Sequence, residues 1–364
     1  WFSGTEPYSE SVPRVFFPAA GVRSRDDGLA SLRGDYGSYC SSSPYSIYAY
    51  CLFFYSSNVG TGNYPRADGF SVRCLQEQSI SVDQPVESEA VNLSEEGTAN
   101  SYIVSEAGAY RFTPTKGNSN ESVGAIASAE VLWETFGTDV TPNVGDLVTN
   151  VKYENGVIRF ETLATYKEGN AVIAAKDANG NILWSWHIWL TDQPEEQVYY
   201  NNAGTMMDRN LGATSATPGD VCALGLLYQW GRKDPFLGAS SISSYSIAKS
   251  TITWPSPVST SSFCGIVEYV TANPTVFVSS SETSQGDWHY PIFKDDLWNS
   301  DKTIYDPCPA GWRVPDGGVI TLGENGVWAT ALGLSSSDFN DKSLYSSTNK
   351  GMNFSGKFGS DQTI

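Results

Sequence analysis

The chain has 364 residues, 40% of them hydrophobic and 13% aromatic, and its formal net charge is −18 at pH 7. This length and composition predict a globular protein of two ordinary domains, each with a buried core. The charge argues against nucleic acid as a partner, because neutralising phosphates needs clustered Lys and Arg and the chain has only 22 such residues. No apolar run approaches the roughly 18 residues that a membrane span needs, and the N-terminus does not begin with a basic, then apolar export signal. Any such signal was therefore removed or lies outside this sequence.

The six cysteines show neither CxxC nor zinc spacing, and there are only two histidines, His187 and His289. No metal and no cofactor is therefore expected. An even number of cysteines in an acidic, Tyr- and Ser-rich chain is compatible with an oxidising compartment. Spacing alone leaves their pairing open.

In chain order, Val15 to Phe17 predicts a first strand, which Pro18 closes. Between Gly34 and Cys74, tyrosine alternates with Ser, Asn and Gly, a mixture typical of antibody binding loops, where Tyr gives large contacts at low entropic cost. We therefore predict a ligand-binding surface formed by Tyr36, Tyr39, Tyr45, Tyr48, Tyr50, Tyr55, Asn58, Asn63 and Tyr64. The alternative is an ordinary aromatic β-hairpin whose Tyr and Ser decorate strands and turns.

A second feature of this region is its missing residue types. From Ser11 to Leu75 there is no Glu, Gln, Lys, Met or Trp, although all five occur elsewhere in the chain. These five cannot be encoded when the first two codon bases are randomised and the third is held at a pyrimidine. The pattern favours a region that has been diversified.

Further along, residues 46–55 alternate as a strand with no polar face, which predicts that it is covered on both sides or carries an exposed aromatic surface. Phe70 to Leu75 predicts another short strand. Residues 77–96 are acidic and almost free of aromatics, which indicates an interdomain linker.

Between residues 97 and 197, short alternating segments separated by turn residues predict a β-sandwich. Its seven predicted strands are Ser101 to Ser105, Ala109 to Pro114, Ala129 to Trp133, Val148 to Tyr153, Val157 to Leu163, Ala171 to Lys176 and Ile182 to Leu190. Trp184, Trp186 and Trp189 could stack on sugars, but the spacing of two between Trp184 and Trp186 favours a core-facing pair. His187, which follows Trp186, is expected to be structural for the same reason.

After residue 198, the pattern predicts one helix over Val221 to Trp230, with Asp220 as its N-cap and Gly231 as its stop. Residues 240–284 are rich in Ser and Thr and predict a long loop insertion.

Motifs at both ends of the chain resemble the Fibrobacter succinogenes major paralogous domain family, abundant in surface lipoproteins of gut Bacteroidetes. The motifs are FPAAGVR (17–23), GFSVRC (69–74), MMDRNLGATSATPGD (206–220), LLYQWGRKDPF (226–236), YDPCPAGWRVPDGG (305–318) and SSTNKGMNF (346–354). The resemblance covers most of 1–76 and 198–364. The middle region resembles the all-β region that precedes this domain in many such proteins.

The resemblance implies an α+β C-type-lectin-like domain plus an all-β sandwich domain. Its motif order is changed, however, since the two motifs that come last in the family come first here. Residues 1–76 would then be the back half of the lectin-like domain, 77–96 a linker, 97–197 the sandwich and 198–364 the front half. A tandem-repeat fragment, a circular permutation and a numbering out of natural order all remain open.

The resemblance also implies a Cys74–Cys308 disulfide, because these cysteines stand in the two cysteine-bearing motifs of the family. Cys40 and Cys51 would be incidental products of variation, with free thiols. Lectin folds are usual targets of diversity-generating retroelements, whose randomised codons would leave the composition of residues 34–66.

The function implied is non-enzymatic binding or adhesion at the cell surface, as an outer-membrane lipoprotein whose lipid anchor is not in this chain. The ligand would be a protein or glycan on a host cell, a phage or a neighbouring bacterium. The alternatives are an oxidase of the formylglycine-generating type, using Cys40 and Cys51, and a calcium-dependent glycan-binding lectin. The second rests on faint three-residue matches at Trp298 to Asp301 and Glu6 to Tyr8 and is disfavoured, because six to eight calcium-binding oxygens cannot be assembled.

Overall fold

A computed structural model describes residues 15–77, 90–198, 204–243, 246–280, 286–291, 294–317, 345–346 and 351–354. Within these ranges the protein is built mostly of short β-strands, and the only α-helix is α1, Val267–Ala272. The β-rich class therefore agrees with the sequence. The helical content that an α+β fold implies is small in the described residues.

Residues 15–77, the described first part of the chain, fold into eight strands. They are β1 (Val15–Pro18), β2 (Val22–Arg23), β3 (Ala30–Ser31), β4 (Tyr36–Tyr45), β5 (Tyr48–Tyr55), β6 (Asn58–Pro65), β7 (Gly69–Phe70) and β8 (Leu75–Gln76). Strands β4, β5 and β6 form an antiparallel sheet of their own.

The middle part forms two four-stranded sheets with a shared core. Its strands are β9 (Val91–Asn92), β10 (Ser101–Val104), β11 (Ala109–Phe112), β12 (Ser128–Thr135), β13 (Val148–Glu154), β14 (Val157–Thr162), β15 (Gly169–Lys176) and β16 (Ile182–Leu190). The next strand, β17 (Glu196–Val198), belongs to a different sheet. The sheet orders are β10-β16-β15-β12 and β13-β14-β11-β9. All seven predicted strands are confirmed, and the buried Trp184 and Trp186 lie in the core between the sheets. Strand β9 falls inside the predicted linker, so this core begins earlier than the composition indicated.

The last part adds strands to sheets that the first part begins. Its strands are β18 (Thr205–Met207), β19 (Tyr228–Gln229), β20 (Val258–Ser259), β21 (Val278–Ser279), β22 (Trp312–Arg313), β23 (Tyr345–Ser346) and β24 (Gly351–Phe354). Strand β8 pairs with both β18 and β22, β7 pairs with β19, and β1 pairs with β24. Within the described ranges, the two ends of the chain therefore share three sheets.

The predicted helix over 221–230 is wrong. Asp220 does cap a turn, since its carboxylate accepts the Cys222 N–H at 2.9 Å, but the turn is a 3₁₀ helix of three residues, Val221–Ala223. Gly225 then takes a φ of +71°, and a Cβ there would lie 2.8 Å from the Leu211 carbonyl oxygen. This left-handed glycine ends the helical run and turns the chain into strand β19.

Three of the quoted motifs converge on one buried guanidinium, that of Arg73. It donates to the Phe16 carbonyl at 2.9 Å and to Asn210 Oδ1 at 3.0 Å, and it lies 4.2 Å from the centroid of the Phe17 ring. A buried charge needs such partners to offset its desolvation. The residues that carry the resemblance are therefore packing residues of one core.

The disulfide implied by the resemblance is present. Cys74 and Cys308 are bonded across 234 residues of sequence, and both are fully buried.

The sandwich packs directly on the last part of the chain through Asn100. Its side-chain amide donates to the carbonyls of Ile304 and Asp306, each at 2.8 Å, and accepts from Trp184 Nε1 at 2.9 Å. A Cβ on Gly117 would collide with this amide at 2.4 Å, so the close approach requires glycine. The middle core is thus joined to the motif that carries Cys308.

Candidate ligand-binding sheet

The sheet β4-β5-β6 carries every residue of the predicted binding surface. A turn at Ser46 and Ile47 joins β4 to β5, and Ser46 has a φ of +56°. The strand predicted to begin at Ser46 therefore begins at Tyr48, because the left-handed residue belongs to the turn. Paired residues share a face, so the register assigns each side chain to one side of the sheet.

The predicted residues divide between the two faces. One face carries Tyr36, Tyr55, Asn58 and Tyr64, since Tyr36 pairs with Tyr55 and Tyr55 with Asn58. The opposite face carries Tyr39, Tyr45, Tyr48, Tyr50 and Asn63. The prediction of a single surface is therefore wrong, because the period of two in strand β5 sends alternate residues to opposite sides.

The first face holds a group of four contacting rings, here called the aromatic cluster: Tyr36, Phe53, Tyr55 and Tyr64. Tyr36 lies 6.2 to 6.4 Å from each of the other three ring centroids, and Phe53 lies 5.5 Å from Tyr64. Tyr55 is 37% exposed, and the other three rings are partly exposed. The rings contact one another while keeping part of their surface open to solvent.

Two glycines on strand β6 make room for the aromatic cluster. Gly60 and Gly62 lie on the same face as Phe53, and a Cβ on either would come within 3.2 Å of the Phe53 ring. At Gly62 the added atom would also come within 3.2 Å of Tyr64. The Phe53 ring therefore lies over the backbone of strand β6 rather than over side chains.

The hydroxyls of Tyr36 and Tyr64 in the aromatic cluster stay protonated. Burial raises the pKa of Tyr36 far above its usual range, and the neighbouring Tyr64 hydroxyl raises it further. Burial also raises the pKa of Tyr64. These two hydroxyls are therefore neutral at physiological pH, and the rings of the cluster form a surface suited to stacking rather than to charge recognition.

A buried carboxylate, Asp68, lies close enough to influence the Tyr36 hydroxyl. Burial raises the pKa of Asp68 to about 6, against the opposing effect of Arg25, whose backbone N–H donates to Asp68 Oδ1 at 2.7 Å and whose guanidinium donates to Oδ2 at 3.2 Å. The raised pKa means that the folded protein binds this proton more tightly than the unfolded chain, where the pKa is near 3.8.

This shift predicts a pH-dependent stability difference between the native protein and Asp68→Asn. The stability contributed by Asp68 is fully present below its unfolded pKa of 3.8 and is lost as the pH rises through about 6. Between about pH 4 and about pH 7, the native protein should therefore lose about 2 kcal/mol relative to Asp68→Asn. Urea unfolding of both proteins across this range measures the difference.

A difference between the native protein and Asp68→Asn that stays constant across this pH range would show that Asp68 titrates alike in the folded and unfolded states.

The opposite face of the sheet is less open. Tyr45 is 48% exposed and its ring lies 5.4 Å from that of Tyr50, but Tyr50 is only 7% exposed. Tyr48 is partly exposed, and Asn63, which pairs with Tyr50, is exposed.

Tyr39 is a core residue, so its prediction as a ligand contact is corrected. It is fully buried, its hydroxyl donates to the Pro18 carbonyl at 2.8 Å, and it accepts from Asn210 Nδ2 at 3.2 Å. A buried hydroxyl with two partners fixes packing. Tyr50, nearly as buried, also offers little surface to a ligand.

Phe53 was missed by the sequence reasoning, which weighed only Tyr and Asn in this region. A usable signal was present in the Gly60-Thr61-Gly62 alternation of the next strand. Glycines two residues apart in a strand leave one face bare, and a large ring opposite them can fill the space.

His187, expected to be structural, lies in the core between protein partners. Its ring nitrogens contact Ser101 Oγ at 3.0 Å and Asn170 Oδ1 at 2.9 Å, and burial lowers its pKa to about 3. The ring is therefore neutral at physiological pH.

Within the described residues, no group of three or more His, Cys, Asp or Glu side chains could hold a metal ion. Of the faint calcium-lectin match, Trp298 is fully buried with its Nε1 donating to the Tyr305 carbonyl at 2.8 Å, and Asn299 accepts the Asp301 N–H at 2.7 Å. Residues 6–8 lie outside the described ranges. The same ranges contain no helix long and apolar enough to cross a membrane.

Comparison with known proteins gives one partial match. A sequence family described as a domain of unknown function, DUF8237, matches residues 5–75, a span that includes the whole of the sheet β4-β5-β6. Neither the curated proteins nor the solved structures gave a match.

Proposed function

We propose that this protein is a non-enzymatic binding or adhesion protein of the cell surface, and that it binds its ligand through the aromatic cluster. The observation that carries the proposal is the mutual packing of four partly exposed rings, with the Phe53 ring lying over Gly60 and Gly62. Tyrosine and phenylalanine held in this way bind with little further loss of entropy.

The chemistry of the cluster defines its ligand. Flat rings stack on the C–H faces of sugars or on apolar side chains, and tyrosine hydroxyls accept and donate hydrogen bonds. The ligand class is a glycan or a protein surface on a host cell, a phage or a neighbouring bacterium. Exposed rings on a buried framework can vary without disturbing the core, which suits diversification of residues 34–66.

We place the protein in the family of Fibrobacter succinogenes major paralogous domains, with a C-type-lectin-like body formed by the two ends of the chain. The shared sheets, the Arg73 contacts and the Cys74–Cys308 bond support this assignment. The family in turn supports a surface lipoprotein location.

The experiment is a screen of glycan and protein arrays with the native protein and with Tyr55→Ser. Tyr55 is the most exposed ring of the aromatic cluster, so its removal should weaken binding of any ligand found by about tenfold or more. The fold should survive, since an exposed side chain at a strand end contributes little to stability.

Tyr45→Ser is the matched control. It removes a somewhat more exposed tyrosine from the opposite face of the same sheet, and affinity should be unchanged. If Tyr45→Ser weakens binding while Tyr55→Ser does not, the ligand site belongs to the opposite face. If neither matters, the proposal of a site on this sheet fails.

A further inference from the structure

Cys40 and Cys51 face each other across strands β4 and β5. The register pairs them directly, their sulfur atoms lie 2.8 Å apart, and both residues are at most 1% exposed. They lie on the same face of the sheet as the aromatic cluster, where they form the pair next to Ser38 and Phe53. The juxtaposition is therefore built into the sheet and does not depend on a flexible loop.

The backbone geometry at this pair is the one that suits a covalent bridge. The Cys40 N–H donates to the Ser71 carbonyl, on the side away from β5. The pair with Cys51 is consequently a non-hydrogen-bonded one, in which opposite Cα atoms approach most closely, to about 4.5 Å. Disulfides bridge Cα separations of about 4.4 to 6.8 Å, so the bond needs a sulfur shift of less than about 1 Å and no backbone movement.

We propose that Cys40 and Cys51 are oxidised to a cross-strand disulfide in the mature protein. A second, independent observation supports this step, since the same body already holds the Cys74–Cys308 disulfide. Protein disulfides persist in oxidising compartments and are rare elsewhere. In that compartment, the thiols of Cys40 and Cys51 are exposed to the same oxidant that forms the Cys74–Cys308 disulfide.

The reaction is thiol–disulfide exchange with a disulfide oxidant, which is either a protein or a small molecule. One cysteine thiolate attacks the oxidant disulfide, forming a mixed disulfide and releasing one oxidant thiolate. The second cysteine thiolate then attacks the protein-bound sulfur and releases the other oxidant thiolate. The two cysteines lose two electrons and two protons in total, and the oxidant disulfide is reduced to two thiols.

The order of events follows from burial. Burial raises the pKa of Cys40 well above its usual range, so the folded core disfavours the attacking thiolate. The exchange therefore takes place before the sheet is covered. Once formed, the bond fixes β4 to β5 beside the aromatic cluster and closes the loop that contains the Ser46 turn.

Peptide mass analysis tests the proposal. The protein, prepared under oxidising conditions, is unfolded in the presence of N-ethylmaleimide and digested with trypsin without reduction. Both cysteines fall on one peptide, residues 34–66, because no Lys or Arg lies between Arg33 and Arg66. The expected peptide is unlabelled and lighter by two hydrogen atoms than its dithiol form, while Cys222 and Cys264 carry label.

A single substitution separates pairing from poor labelling. In Cys51→Ala the partner is gone, so Cys40 should take up the label completely under the same conditions. A native peptide that carries two labels while Cys74 and Cys308 remain bonded would overturn the proposal. So would a Cys40 that stays unlabelled in Cys51→Ala, since the missing label would then not report a bond. The inference does not depend on the proposed binding function.

Discussion

A variant in which both Cys74 and Cys308 are replaced by alanine is expected to lose about 4 kcal/mol of unfolding free energy. A bond between residues 234 positions apart restricts the unfolded chain strongly. The sandwich inside that loop has its own core, which shortens the effective loop and keeps the figure below the value for a fully flexible chain. Urea unfolding followed by tryptophan fluorescence measures the loss.

The position of this bond explains why the effect should be global. Cys74 directly precedes β8, the strand that pairs with β18 and β22, and its carbonyl accepts the Met207 N–H at 3.1 Å. Cys308 lies in the loop that leads to β22. The bond therefore fastens the sheet in which the two ends of the chain meet.

The control is Cys222→Ala, which removes a half-buried cysteine that forms no disulfide. This variant should change stability by less than about 1 kcal/mol. Equal losses of unfolding free energy in the two variants would show that the covalent bond contributes no stability beyond the packing of the cysteine side chains.

The strands of the sandwich could be predicted from sequence because their determinants are local. Each has an alternating pattern of apolar residues and is bounded by turn residues such as Asn155-Gly156, where both residues adopt positive φ. Strand β9 could not be predicted in this way. It has two residues, and only its parallel pairing with β11 defines it.

The helix over 221–230 failed for a related reason. Its apolar spacing fits a helix, but Leu226, Leu227 and Tyr228 are buried by separate partners. Leu227 exchanges backbone hydrogen bonds with Phe236, and Tyr228 pairs with Phe70. Long-range pairing decided the conformation, and Gly225 was the one local sign of it.

The candidate site was predicted as a stretch of chain but not as a surface. Composition singled out residues 34–66, and strand alternation could have divided Tyr48 and Tyr50 from Phe53 and Tyr55. The part of each face that is exposed to solvent depends on the residues from elsewhere in the chain that pack on the sheet. Tyr39 illustrates this, since its burial requires Pro18 and Asn210, the second of which is 171 residues away.

The largest single-residue effect on stability is expected at Asp306, which is 1% exposed. Its two carboxylate oxygens accept the N–H groups of Cys308 at 2.9 Å and Val314 at 2.8 Å, and thereby set the path of the loop between them. Lys302 fills the same loop from the inside by donating to the carbonyls of Cys308, Pro309 and Trp312.

In Asp306→Asn the amide N–H₂ would face one of the two N–H donors, so one buried donor would lose its acceptor. The Lys302 charge would also lose its counter-charge. We expect a loss of about 3 kcal/mol, measured by urea unfolding, against less than about 0.5 kcal/mol for the exposed control Asp301→Asn. A loss at Asp306→Asn no larger than that of the control would show that the carboxylate does not hold the loop, and that Lys302 and the disulfide are sufficient.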